Sequence, residues 1–186
     1  MNTRLPAAAI GLLLLVAALS ACSPGAPRAS ASSSPSDGTV APDEGSPSEA
    51  EPGTLDCASM ISAGTVDALT EQGWTAQPKD FVIGDLHVPS EQGMLCFWAD
   101  YTVASDHGQF YGWATISAED AGSAQDSLLA NGWRREQSDE GVLVTEDPQY
   151  AMTTDDEGYG MTYLFGDGWV KFADTRQGLL LIEWTP

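Results

Sequence analysis

Apolar positions along this chain fall into two regimes, separated by a long polar stretch. Ile10 to Leu19 is an apolar run without a charge, preceded by Arg4 and followed by the small residues Ser20 and Ala21. It is too short for a comfortable membrane span and has the three parts of a secretory signal. From Ser23 to Gly53 the chain is mostly Ser, Pro, Ala, Gly and acid, with Val40 its only large aliphatic residue. Such a segment buries too little apolar surface to offset its chain entropy, so disorder is expected. After Thr54 the pattern becomes that of a folded domain of ordinary size.

Within residues 54–186 two segments read as helices. Ser62 can cap one running to Gln72, with Gly73 as its stop, and a short helical turn is expected over Cys57 to Ile61. Ser117 with Asp120 resembles a capping box that opens a second helix to about Asn131, stopped by Gly132. Runs rich in β-branched and aromatic residues predict strands over Leu95–Val103, Phe110–Ile116, Tyr159–Phe165, Trp169–Ala173 and Leu179–Trp184. Trp133–Gln137 and Val142–Thr145 are shorter candidates. Together these predict an α+β fold, two helices packed on one antiparallel β-sheet.

The six tryptophans suggest an internal repeat. Trp74 and Trp133 each follow a helix-like segment ending in Gly. Trp98 and Trp113 are separated by the same interval as Trp169 and Trp184, with a turn between the members of each pair. The expectation is a helix-plus-hairpin unit present twice.

Charge and cysteines narrow the setting. After Thr54, 22 acidic side chains face five basic ones, a net charge of −17. Such a surface repels nucleic-acid and lipid phosphates, so no nucleic-acid partner is expected. It suits cations or a basic protein. Of three cysteines, Cys22 sits at the signal's end and Cys57 and Cys96 lie in the domain. Outside the cytoplasm, that pair reads as a disulfide. A two-thiol metal site or free thiols are the alternatives, and neither Cys has a CxxC partner.

Leu19-Ser20-Ala21-Cys22 resembles the bacterial lipobox. That resemblance implies removal of residues 1–21, acylation of Cys22, and anchoring by lipid at the outer face of the cytoplasmic membrane. Residues 22–53 would then be a tether for the domain at 54–186. Asp56-Cys57-Ala58-Ser59-Met60-Ile61, the helix start Ser62-Ala63-Gly64-Thr65-Val66, and Cys96-Phe97-Trp98 are similar to small actinobacterial envelope lipoproteins of unknown function. The resemblance implies an α+β envelope domain with the Cys57–Cys96 bridge, and brings no activity. A duplicated helix-plus-sheet unit also resembles, in architecture alone, secreted inhibitors of cell-wall hydrolases and lactamases.

No nucleophile elbow, Ser-x-x-Lys, His-Glu-x-x-His or phosphate loop is present. His87 and His107 show no ligand spacing, and Asp155-Asp156-Glu157-Gly158 lacks the alternation of a calcium loop. Neither catalysis, a metal nor a cofactor is expected. Trp98, Tyr101, Phe110, Tyr111 and Trp113 form the candidate binding face, although the same rings would equally build a core. The expected function is binding, to another envelope protein or alternatively to a small molecule or glycan, with a hydrolase or hydrolase inhibitor as a further alternative.

Overall fold

A computed structural model describes residues 54–185. The expected signal peptide, the acylated Cys22 and the tether lie outside the described residues. The domain is α+β, with three α-helices, a seven-stranded antiparallel sheet and a two-stranded hairpin. The helices are α1 (Cys57–Met60), α2 (Ala63–Glu71) and α3 (Ala118–Ala130). The sheet comprises β1 (Thr75–Lys79), β4 (Gly93–Ala99), β5 (Gly108–Thr115), β6 (Arg134–Ser138), β7 (Gly141–Thr145), β8 (Thr162–Phe165) and β9 (Trp169–Ala173). The hairpin is β2 (Val82–Ile83) with β3 (Leu86–His87). Sheet order is β1-β4-β5-β9-β8-β7-β6.

Both longer helices start as their sequences predict. The Ser62 hydroxyl accepts from Thr65 N–H and that of Ser117 from Asp120 N–H. They also end alike. Gly73 and Gly132 adopt positive φ, a conformation glycine enters without a Cβ penalty. Trp74 N–H then donates to Leu69 O and Trp133 N–H to Leu128 O. This is the Schellman arrangement, with an apolar pair, Leu and Trp, closing over each helix end.

The two helices lie on opposite faces of the sheet. On one face, Leu69 and Trp74 pack with Cys96, Trp98, Tyr111 and Trp113. On the other, Leu128 and Trp133 pack with Val144, Tyr163, Phe165 and Phe172. Strand alternation produces the split, because successive side chains point to opposite faces. The topology is therefore two-fold in plan. Strands β1, β4 and β5 step inward from one edge, and β6, β7 and β8 from the other. A half turn about β9 exchanges both the edges and the faces.

The recurrence corrects the tryptophan pairing. Trp74 and Trp133 do correspond. Trp98 sits opposite Ala76 of β1, whereas the corresponding place opposite Arg135 of β6 is held by Val144. Trp169 begins the central strand β9, and Trp184 lies outside every strand. The shared interval between the later pairs has no structural counterpart.

Three other differences have physical reasons. Edge strand β1 escapes the apolar pattern because four of its five residues are exposed and it contains Pro78, which an edge tolerates. The strand expected over 95–103 stops at Ala99, because the Asp100 carboxylate accepts the Thr102 N–H and hydroxyl and turns the chain out of the ladder. The run expected over Leu179–Trp184 begins in a 3-10 turn, Gln177–Leu181, and makes a single bridge, Ile61 with Ile182. Both sides of β9 are already paired, so this tail crosses the face instead. Glu183 and Trp184 N–H both donate to Met60 O, and Lys171 Nζ donates to Ile182 O.

Cys57 and Cys96 form a disulfide, with Cα atoms 5.6 Å apart. It fastens the four-residue α1 to the middle of β4.

Candidate functional site

The pairing registers bring one set of chain positions to a common end of the sheet. Thr75 faces Ala99, Ala99 faces Gly108, Thr162 faces Ala173, and Thr145 faces both Thr162 and Arg134. The connections 100–107 and 146–161 therefore emerge on the same side. They are the same connection in the two halves, β4 to β5 and β7 to β8. Between them lies the end of the central strand, where β9 finishes at Ala173 and Asp174 follows.

A groove of about 650 Å³ opens at this place. Its apolar wall is made by Phe97, Phe110, Met152, Met161 and Leu181, and its polar groups include Gln109 and Asp174. Phe97 and Phe110 stack with centroids 4.3 Å apart, and Tyr101 meets Phe97 edge-on at 6.3 Å. Strand alternation puts Phe97 and Phe110 on the α3 face, but at the loop end they run beyond the cover that α3 provides. Volume and composition fall within the range of ligand and peptide sites.

Asp174 is the distinctive group. One of its oxygens accepts the Phe110 N–H at 2.8 Å, in the position where the β5–β9 ladder would otherwise continue. Burial pushes its carboxyl up to about 6; the Phe110 N–H opposes that rise and the charge of Glu146 adds to it. Beside it, the Tyr111 hydroxyl donates to Gln109 Oε1 at 2.7 Å. Burial, and then the Asp174 charge, push that phenol up to about 12.

The two loops are held differently. In 100–107, Asp100 accepts from both the N–H and the hydroxyl of Thr102, which hold its carboxyl below the usual range, and Tyr101 hydroxyl donates to Phe97 O. In 146–161, Asp155 accepts from Glu157 and Tyr159 N–H. Tyr159 hydroxyl donates to Glu136 at 2.7 Å, and Arg134 and Arg176 both lie over its ring, at 5.6 and 4.9 Å. Its phenol is raised, first by the Glu136 hydrogen bond and next by burial.

The candidate face read from the sequence is divided by this geometry. Trp98, Tyr111 and Trp113 are buried, 3–4% exposed, under α1, α2 and the C-terminal tail. Phe110 belongs to the opposite face, and Tyr101 lies beyond the end of β4. Alternation within β4 and β5 cannot place all five together. Phe110 and Tyr111 line the groove with Phe97 and Met152, and Tyr101 meets Phe97 edge-on beside it. The sequence predicts a strand ending at Ala173, just before Asp174, but nothing local reveals that this strand is the central one.

Four of the five large apolar side chains exposed among the described residues lie on the two loops: Tyr101, Val103, Tyr150 and Met152, the last 97% exposed. Among the described residues no three His, Cys, Asp or Glu side chains converge as metal ligands. His87 is in the β2–β3 hairpin and His107, near Asp106, is on the first loop. No family model, curated protein or solved structure matches this chain.

Proposed function

We propose that the protein is a lipid-anchored, extracytoplasmic binding module that engages another envelope protein through the loop end of its sheet. One observation carries the reading: exposed large apolar side chains concentrate on the two equivalent loops beside the groove. Clustered exposed apolar side chains mark interaction surfaces in soluble domains. The lipobox-like Cys22 and the polar stretch after it support the lipid-anchored part of the reading. A second reading, capture of a small molecule or glycan, draws support from the groove volume.

Site-specific photocrosslinking on the full chain in the native envelope tests the proposal. A crosslinker replacing Met152 or Val103 is expected to trap one protein species. The same group replacing Asp139, in the turn at the other end of the sheet, is expected to trap none. Equal trapping from all three positions, or none from the loops, rejects protein docking at this end. In the second case, saturable binding of a glycan or small molecule at the groove establishes the alternative.

A further inference from the structure

Taking the loop end as the docking surface, we infer that the groove at the end of β9 receives a cationic side chain of the partner, a lysine or arginine flanked by apolar residues, with the Asp174 carboxylate as its counter-charge. Asp174 is half-buried, yet none of the ion pairs among the described residues involves it. One oxygen is used by Phe110 N–H; the other takes no hydrogen bond among the described residues. A desolvated carboxylate without a cation is costly, and a ligand that supplies one removes that cost.

The walls fit the rest of such a side chain. Phe97, Phe110, Met152 and Met161 offer apolar surface for a methylene stem, and aromatic rings attract a cation. The groove's other charged lining residue is Asp106, also acidic, and no Lys or Arg lines it. The nearest basic side chain in sequence, Arg176, is occupied with Glu157 at 3.5 Å and with the Tyr159 ring. The domain's net charge of −17 draws a basic partner in the same direction.

Binding is expected to depend on pH through Asp174. Its free carboxyl titrates at about 6, and a bound cation favours the charged form. Affinity should therefore be level above about pH 7 and fall by roughly tenfold by about pH 5. The other groups around it are the Tyr111 phenol, Glu146, and the first loop's Asp106 and His107. His107→Gln separates that histidine from the effect.

The test uses the full chain with methyl-labelled methionine, read by NMR. The probes are acetyl-Leu-Lys-Leu-amide, its Arg counterpart, and a norleucine version without charge. Methyl signals of Met152 and Met161 are expected to move saturably with the Lys or Arg peptide, and those of Met60 and Met94 to stay. The norleucine peptide should bind at least roughly tenfold more weakly, and Asp174→Asn should lose a similar factor for the cationic peptides. Asn keeps an acceptor for Phe110 N–H, and Met60 and Met94 signals verify its fold. Met152→Lys, at a fully exposed position, should also weaken the cationic peptides. Equal binding of the norleucine peptide, or a folded Asp174→Asn that binds as well as the parent, overturns the inference. If loop crosslinks persist in that case, protein docking stands and only the cation is wrong. Saturable peptide binding without any protein crosslink rejects the docking reading instead.

Discussion

The loops at 100–107 and 146–161 occupy the same connection in the two halves of the sheet, but the chain fastens them by different means. The first is held mostly by contacts within itself and to the strand it leaves, Asp100 with Thr102, Ser105 with His107, and Tyr101 with Phe97, with one contact outward, Lys79 of β1 over the Tyr101 ring at 6.0 Å. The second is tied outward, through Arg134 and Arg176 over Tyr159 and through Glu136. The second loop is therefore braced against the sheet and the 3-10 turn by two arginines and a carboxylate, and the first by shorter-range contacts and one longer cation–ring contact. The difference also extends to the supporting halves. The second half packs the thirteen-residue α3 over an aromatic group, Trp133, Tyr163, Phe165 and Phe172. The first has a nine-residue α2 with Leu69 as its one buried residue, and relies on a covalent tie.

Breaking that tie should have the largest effect. The Cys57–Cys96 bridge closes a span of 39 residues. In the chain-entropy model it stabilises the domain by roughly 4 kcal/mol. A Cys57→Ser/Cys96→Ser double variant should lose about that much in denaturant unfolding. Native-state hydrogen exchange should show α1, α2 and β1 opening before α3 and β6. Equal opening of both halves would mean that the first does not depend on the crosslink more than the second.

The next largest effect tests the braced wall. Tyr159→Leu removes one hydrogen bond to a carboxylate and two cation–ring contacts, at a cost of about 2 kcal/mol. Tyr159→Phe keeps the ring contacts and should lose about half as much. Limited proteolysis should then cut Tyr159→Leu within 146–161 while cleavage in 100–107 stays at the parent rate. Faster cleavage in both loops would show that they are coupled across the groove and not separately held.

The helices and the helix–Gly–Trp recurrence were legible because their signals are local. Ser62, Ser117, Gly73 and Gly132 act within one helical turn of themselves. Fold class and the cysteine pairing followed from element type and from there being two domain cysteines. What was not legible depends on non-local pairing. Edge strand β1 carries a polar sequence because an edge need not be apolar on both faces. The run Leu179–Trp184 has strand composition but meets a sheet whose central strand is already paired on both sides. The aromatic face was divided for the same reason: spacing along β4 and β5 places rings on strands, but which face a helix covers is decided elsewhere in the chain. Asp174 gained its character only from the register that sets it beside Phe110, 64 positions away in sequence.

Asp174 also makes the comparison between the loops quantitative, since it lies between them and belongs to neither. Burial pushes its carboxyl up to about 6 in the folded domain, from about 3.8 in the unfolded chain. The folded state therefore holds the proton more tightly. Stability contributed by this group is present below about pH 4 and is lost as pH rises through about 6. Above that, the carboxylate is a standing cost, moderated by the water that reaches an open groove. Asp174→Asn should accordingly stabilise the domain by on the order of 1 kcal/mol at about pH 8, and change little at about pH 4. Denaturant midpoints at both values check this. A gain at the higher pH together with weaker cationic-peptide binding would identify Asp174 as a group whose burial is retained for recognition and not for the fold. A loss of stability at both values would instead assign it to structure, through its hold on Phe110. The groove would then have a positioned strand end at its centre and no counter-charge waiting for a ligand.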